Sequence, residues 1–171
     1  LLYEFSRHRD WDGFIISCFD DTGLDAARCL VAGPVIGIGE AAFHIATLIG
    51  NKFSVITSLS KSIPALENNL VRYGLYSRCS SIHACEVEVL GLERDVDFAK
   101  SAISQKIETL QNQEMVDVIV LGCAGMTDFT KELSLEYQIP IVDGVTAAVE
   151  LISGLIRMGL KTGKRNGYAN P

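Results

Sequence analysis

Short, almost uninterrupted apolar runs recur along the chain at Gly13 to Ser17, Val35 to Ile38, Phe53 to Thr57 and Val118 to Leu121. Runs of this length bounded by turn residues read as strands buried on both faces. Between them the apolar period lengthens. Ala42, Ile45, Ala46 and Ile49 share one helical face in a helix opened by Gly39-Glu40 and stopped at Gly50. Val96, Ala99, Ala102, Ile103, Ile107 and Leu110 mark a long amphipathic helix. A short helix is expected over Leu24 to Leu30. Ser62-Ile63-Pro64 reads as a cap with Pro in the first turn of a helix that ends at Gly74, and a further strand falls within Cys79 to Leu90. Strands alternating with helices predict an α/β fold with mainly parallel sheets flanked by helices.

The pattern also repeats. Asp12-Gly-Phe-Ile-Ile-Ser-Cys18 is answered by Asp117-Val-Ile-Val-Leu-Gly-Cys123, and Pro34-Val-Ile-Gly-Ile-Gly-Glu-Ala-Ala42 by Pro140-Ile-Val-Asp-Gly-Val-Thr-Ala-Ala148. The 171 residues therefore read as one unit, with repeat halves around 12–50 and 117–159 and a central segment 51–116. Leu1 to Phe5 resemble the middle of a helix. A wound half should open on a strand before that helix, so the chain is expected to lack its N-terminal strand.

Composition narrows the functional classes. A net charge of −6 without a basic cluster argues against nucleic acid or an anionic membrane as partner. No apolar run approaches the roughly 18 residues of a membrane span, and the expected setting is cytoplasmic. The five cysteines, Cys18, Cys29, Cys79, Cys85 and Cys123, form no C-x-x-C pair. Reduced thiols fit better than a disulfide framework or structural zinc. Walker, dinucleotide and nucleophile-elbow motifs are absent from the sequence, so the chemistry expected here uses no cofactor.

Cys18 and Cys123 end matched strands, where parallel sheets bind ligands. A lone cysteine is more often a small buried hydrophobe; two at equivalent positions of a repeat point to acid/base chemistry from two sides of one carbon. Gly122 and Gly125 let the backbone approach a ligand closely, and N–H groups about Ala124 could hold a developing enolate oxygen. Phe19 and Asp20 follow Cys18. Asp20 and Asp21 read equally as acceptors for a substrate N–H or as cap and turn residues. Thr57, Ser58 and Ser60 form either a binding loop or a helix entry. Glu40 and His44, one turn apart, could ligate a metal, but a surface hydrogen bond is the simpler reading. Cys29, Cys79 and Cys85 read as packing residues, and His8 and His83 have no evident partner.

At Cys18-Phe-Asp-Asp-Thr-Gly-Leu24, Val120-Leu-Gly-Cys-Ala-Gly-Met126 and Lys161-Thr-Gly-Lys-Arg-Asn-Gly-Tyr-Ala169 the chain resembles the hydantoin and allantoin racemases of the aspartate/glutamate racemase superfamily. Ile38-Gly-Glu-Ala-Ala-Phe-His44 and Pro64-Ala-Leu-Glu67 look most like the allantoin branch. The resemblance implies two pseudo-symmetric α/β lobes, a homo-oligomer, and a cofactor-independent racemase of a cyclic ureide. Cys18 and Cys123 would be its acid/base pair, and Phe19, Asp20, Thr57, Ser58, Gly122 and Ala124 would hold the ring. Thr22 stands where the family turn usually has Pro, and the family's early Asn-containing loop has no counterpart. A 5-substituted hydantoin, an amino acid or maleate are alternative substrates within the superfamily. A non-catalytic two-lobed ligand-binding domain is the alternative outside it.

Overall fold

The computed structural model describes residues 2–8 and 11–171. The elements in order are α1 (Leu2–Arg7), β1 (Phe14–Ile16), α2 (Leu24–Leu30), β2 (Val35–Gly37), α3 (Ile38–Ile49), β3 (Phe53–Thr57), α4 (Ile63–Arg72), β4 (Cys79–Ala84), α5 (Gly91–Arg94), α6 (Val96–Gln113), β5 (Val118–Gly122), α7 (Thr130–Tyr137), β6 (Ile141–Asp143) and α8 (Gly144–Arg157). Short 3₁₀ turns precede α4, β4 and α7.

Every strand pairing is parallel. β1 pairs with β2 in one sheet, and the other has the order β4-β3-β5-β6. In β5 the alternation required by the pleat sends Val118 and Val120 to one face and Ile119 and Leu121 to the other. The first pair meets α3, α4 and α8; the second meets α6 and α7. Two buried faces explain why the run is apolar at every position. Ile15 and Ile36 of the smaller sheet also pack on the α3–α8 side, so these two helices form a layer shared by both sheets. At their contact Gly144 lies against the carbonyl of Ile38, where a side chain would overlap backbone. Phe5, Phe14, Ile16, Leu24, Ala27 and Val35 close a separate small core over the outer face of β1 and β2.

The two repeats cap their equivalent helices by different means. In α8 the strand-end residue Asp143 is itself the N-cap and accepts from the Thr146 N–H at 2.8 Å. The matching position before α3 is Gly37, which has no side chain to offer. Asp21 reaches in from the turn after β1. Its carboxylate accepts from the N–H groups of Gly39 at 3.1 Å and Glu40 at 2.7 Å, and from the Tyr73 hydroxyl at 2.7 Å. A Cβ on Gly37 would overlap that carboxylate. Asp21 thus occupies the volume that the Asp143 side chain fills in the other repeat, and it does so from a left-handed backbone (φ 51) that Asp tolerates better than most residues.

Other expectations shift in detail. Ser62 is at the α4 N-cap position but its side chain makes no capping bond, because a 3₁₀ turn already leads into the helix. α3 begins at Ile38, a residue earlier than Gly39. Gly74 stops the α4 region as expected, with a positive φ of 73.

Replacing Asp21 by Ala leaves two helix N–H groups and a phenolic hydroxyl without their acceptor, and is expected to cost about 2–4 kcal/mol in urea denaturation. Adding Gly37→Asp to that variant places a cap where the other repeat has one, on an extended backbone of the same kind (φ −86, ψ 142 against φ −102, ψ 149). The double variant should regain at least half of the lost stability. A double variant no more stable than Asp21→Ala would refute the equivalence of the two caps.

Candidate active site

The carboxyl ends of the parallel strands set the site. Cys18 lies two residues beyond β1, Ser58 directly beyond β3, Cys85 directly beyond β4 and Cys123 directly beyond β5. Thr57 and Gly122 are register partners, so Ser58 and Cys123 leave the sheet side by side. Cys18 comes from the other sheet, on a turn closed by the Asp21 N–H to Cys18 carbonyl bond at 2.9 Å.

Cys18 is exposed, whereas Cys123 is partly buried. Burial pushes the Cys123 thiol above the ordinary range. The Gly125 N–H and the Ser58 hydroxyl work in the opposite sense by donating to sulfur, and the charges of Cys18 and Asp20 push it up further. Cys18, Asp20 and Cys123 therefore share one electrostatic environment although they come from different sheets. Cys85 belongs to its margin. Its thiol is buried against the Ser58 carbonyl (3.7 Å) and is raised by burial and, in part, by Cys123.

The two aspartates after Cys18 divide their roles. Asp21 is 2% exposed and belongs to the fold, its pKa raised to about 6 by burial against the pull of its three donors. Asp20 is half-buried; burial raises its carboxyl while the Ser62 hydroxyl bonds to it. Its backbone carbonyl accepts from Asn69 Nδ2 at 2.8 Å, which fixes the turn against α4. Phe19 is buried edge-on to Phe43, with ring centroids 5.5 Å apart, and can offer a ligand only its backbone.

Several expected binding groups face protein instead. The Thr57 hydroxyl is buried and donates to the Gly122 carbonyl at 3.2 Å, leaving its backbone as the part able to meet a ligand. Gly122 makes room for β3: a Cβ there would sit 3.1 Å from Val55 and 3.3 Å from the Ile56 carbonyl. Gly125 makes room for Leu92, and its N–H serves Cys123. Ala124 begins the 3₁₀ turn after Cys123, whose carbonyl accepts from the Met126 N–H. Glu40 and His44 are not a ligand pair. The Glu40 carboxylate meets Arg28 at 2.5 Å, His44 Nδ1 bonds the Glu40 carbonyl, and among the described residues no third ligand joins them. His8 stacks on Trp11, and His83 meets Ser81 and Glu114.

Sequence reasoning passed over Asn69 and Tyr73, which hold the Cys18 turn, and read Ser62 only as a helix cap. One signal was available: Asn69 lies on the buried face of α4 between Leu66 and Leu70, where an unpartnered amide would be costly. A cavity of about 520 Å³ lies elsewhere, between α3, α8 and the C-terminal tail, with Arg28, Val35, His44, Leu151, Leu155 and Tyr168 in its wall. Neither candidate thiol lines it, and Arg28 and Glu40 in its wall neutralise each other. Among the described residues no helix is long and apolar enough to cross a membrane.

Residues 1–152 match the Asp/Glu/hydantoin racemase family. A hydantoin racemase of Rhizobium meliloti is 42% identical over 160 residues, covering 94% of this chain and 66% of the relative. The solved allantoin racemase of Klebsiella pneumoniae superposes with a TM-score of 0.96 at 37% identity, over 99% of this chain and 70% of that one. An allantoin racemase of Pseudomonas fluorescens gives 0.91, also at 37%, over 94% and 68%. The chain thus spans just under two thirds of the length of the first two curated relatives it matches, 66% and 64%. With its parallel sheets, its matched cysteine-bearing strand ends and these similarities, the chain belongs to the Asp/Glu/hydantoin racemase family.

Proposed function

We propose that this chain carries the acid/base site of a cofactor-independent racemase of a five-membered cyclic ureide, with allantoin preferred over 5-substituted hydantoins. The observation that carries the reading is the placement of Cys18 and Cys123. They follow the carboxyl ends of parallel strands in different sheets, at matched places of the two repeats, and the charge of Cys18 reaches the Cys123 thiol. The similarity to proteins named as hydantoin and allantoin racemases supports the substrate class. The two names are compatible, since allantoin is a hydantoin ring bearing a ureido group at its stereocentre.

The reaction begins with one sulfur as thiolate and the other as thiol. The thiolate takes the proton of the ring carbon next to the carbonyl. That C–H bond breaks, an S–H bond forms, and the electron pair moves into the enolate. The second thiol then delivers its proton to the opposite face of the same carbon, inverting it. Each turnover exchanges the protonation states of the two sulfurs, and solvent exchange restores them. The Ser58 hydroxyl and Gly125 N–H hold Cys123 when it is the charged partner. An open-chain acid would bring its own carboxylate beside Asp20, which disfavours it.

Cys123→Ser is expected to reduce racemisation by at least ~10²-fold, the low end for removing a general base. In heavy water one enantiomer should still exchange its ring C–H through Cys18 with configuration retained, and Cys18→Ser should do the same for the other enantiomer. NMR exchange beside polarimetry reads both. Two variants that racemise at near wild-type rates would exclude the pair.

The pH profile provides a second check. The active form holds one thiolate and one thiol, and its two protonation isomers rise and fall together with pH, so both enantiomers should share one bell in kcat/KM. Activity rises as the first thiol ionises and falls as the second does. Burial and the charges of Cys18 and Asp20 raise that second ionisation, so the falling limb should lie above about 8.5, the ordinary thiol value. A fall centred below that value, or different profiles for the two enantiomers, contradicts the scheme.

A further inference from the structure

Two side chains outside the cysteine-bearing strands hold the turns that carry the thiols. Cys18 opens a β-turn, its carbonyl accepting from the Asp21 N–H at 2.9 Å. That bond leaves the Asp20 carbonyl to another donor, and it accepts from Asn69 Nδ2 at 2.8 Å. Asn69 is buried on α4 beside Leu66 and Leu70, and Tyr73, four positions on, takes the next residue of the turn by donating to the Asp21 carboxylate at 2.7 Å. β3 runs through Ser58 into α4, and it lies beside the strand that ends at Cys123. Asn69 therefore ties the Cys18 turn, which belongs to one sheet, to the frame of the other. The turn after Cys123 has a counterpart. Thr127, half-buried, donates to the Ala124 carbonyl at 2.9 Å and lies 3.3 Å from the Asp143 carboxylate that caps α8. In each repeat one side chain takes a backbone carbonyl within two residues of the cysteine.

We propose that Asn69 and Thr127 are positioning residues of the two-base reaction, Asn69 for Cys18 and Thr127 for Cys123; the inference rests on the racemase reading above. Both act through the backbone of a turn. Cys18 is exposed, so its thiol takes its direction from the turn beneath it rather than from packing around it. Proton transfer requires each sulfur within hydrogen-bond reach of the same carbon, and a displacement of about 1 Å can cost ~10²-fold in rate. Loss of the Asn69 bond frees the peptide after Asp20 to rotate, and the thiol two residues earlier moves with it. Cys123 stays where β5 and Thr127 hold it. The two faces of the substrate are therefore set by separate bonds, and each can be disturbed alone.

The test separates the two faces. Racemisation alone cannot, since enantiomers have equal free energies and kcat/KM must fall equally from both sides. Exchange of the ring C–H with configuration retained can. Asn69→Leu replaces the amide by an apolar side chain of similar size beside two leucines. It is measured on allantoin in heavy water with the full-length protein. For the enantiomer whose proton faces Cys123, the ratio of retained exchange to racemisation should rise about 10–100-fold. The enolate formed there waits on a misplaced Cys18, and Cys123, its proton exchanged for a deuteron, returns the deuteron to the same face. For the enantiomer facing Cys18 the ratio should fall by a similar factor. Thr127→Val should give the mirror pattern. Cys18→Ser and Cys123→Ser identify which enantiomer faces which sulfur, and Asn69→Ala, which adds no bulk, gives a second reading of the Asn69 ratio. A misfolded fraction lowers exchange and racemisation alike and leaves every ratio unchanged. Ratios that stay at wild-type values, or that shift toward the same enantiomer in the Asn69 and Thr127 variants, overturn the assignment. Wild-type protein that racemises neither allantoin nor 5-methylhydantoin would instead overturn the racemase reading itself, so the two failures are distinct.

Discussion

The placement of the Cys18 turn relative to Cys123 depends on one buried carboxylate. Asp21 joins three parts of the molecule that are remote in sequence: the turn that carries Cys18, the first N–H groups of α3, and Tyr73 at the end of α4. Burial alone penalises a carboxylate, and its pKa of about 6 records that penalty. The donors offset it, and the positive end of the α3 dipole acts in the same direction. Since α3 packs against α8 in the layer between the sheets, fixing the Cys18 turn to α3 also fixes it relative to β5 and Cys123. Arg72 extends the arrangement to the surface, donating to the Tyr73 hydroxyl at 2.7 Å and meeting Asp25 at 3.1 Å.

The second repeat reaches the same end from the other direction. There the capping carboxylate belongs to the strand end, and the turn after Cys123 comes to it through Thr127, whose hydroxyl lies 3.3 Å from the Asp143 carboxylate. In both halves a carboxylate at a helix N-terminus ties down the turn that follows a cysteine. In the first half the turn supplies the carboxylate; in the second it supplies the hydroxyl. The exchange explains why Pro34-Val-Ile-Gly37 and Pro140-Ile-Val-Asp143 align except at the residue that should cap. Gly37 is needed because another part of the chain fills the place of its side chain.

That relation was not legible in the sequence, although much else was. Continuous apolar runs identified β2, β3 and β5 because those strands are buried on both faces, and the spacing of Ile103, Ile107 and Leu110 identified α6 because one stripe faces the sheet. Periodicity reports which positions are buried. It does not report which partner a polar atom finds or what packs against a glycine, and the missed features are of those two kinds. Asp21 read equally as an acceptor for a substrate N–H or as a local cap and turn residue, and it caps a helix eighteen positions away. Thr57 looked like a ligand for substrate and bonds across the sheet. Gly122 and Gly125 looked like room for a ligand and make room for Val55 and Leu92. Ser62 looked like a cap and meets Asp20.

Charge balance connects this scaffold to the chemistry proposed for it. With one thiolate and Asp20 ionised, the cleft holds two negative charges, and the donors toward them are hydroxyls and a backbone N–H, from Ser58, Ser62 and Gly125. Hydroxyls and amides orient an anion without cancelling its charge, so a substrate bringing a third negative charge would enter unfavourably. A hydantoin ring enters neutral. Its stereocentre lies between a carbonyl and an acylated nitrogen and carries no ionised carboxylate, so its C–H is more acidic than that of an amino-acid anion. On that reading a thiolate would remove the proton without a cation beside it.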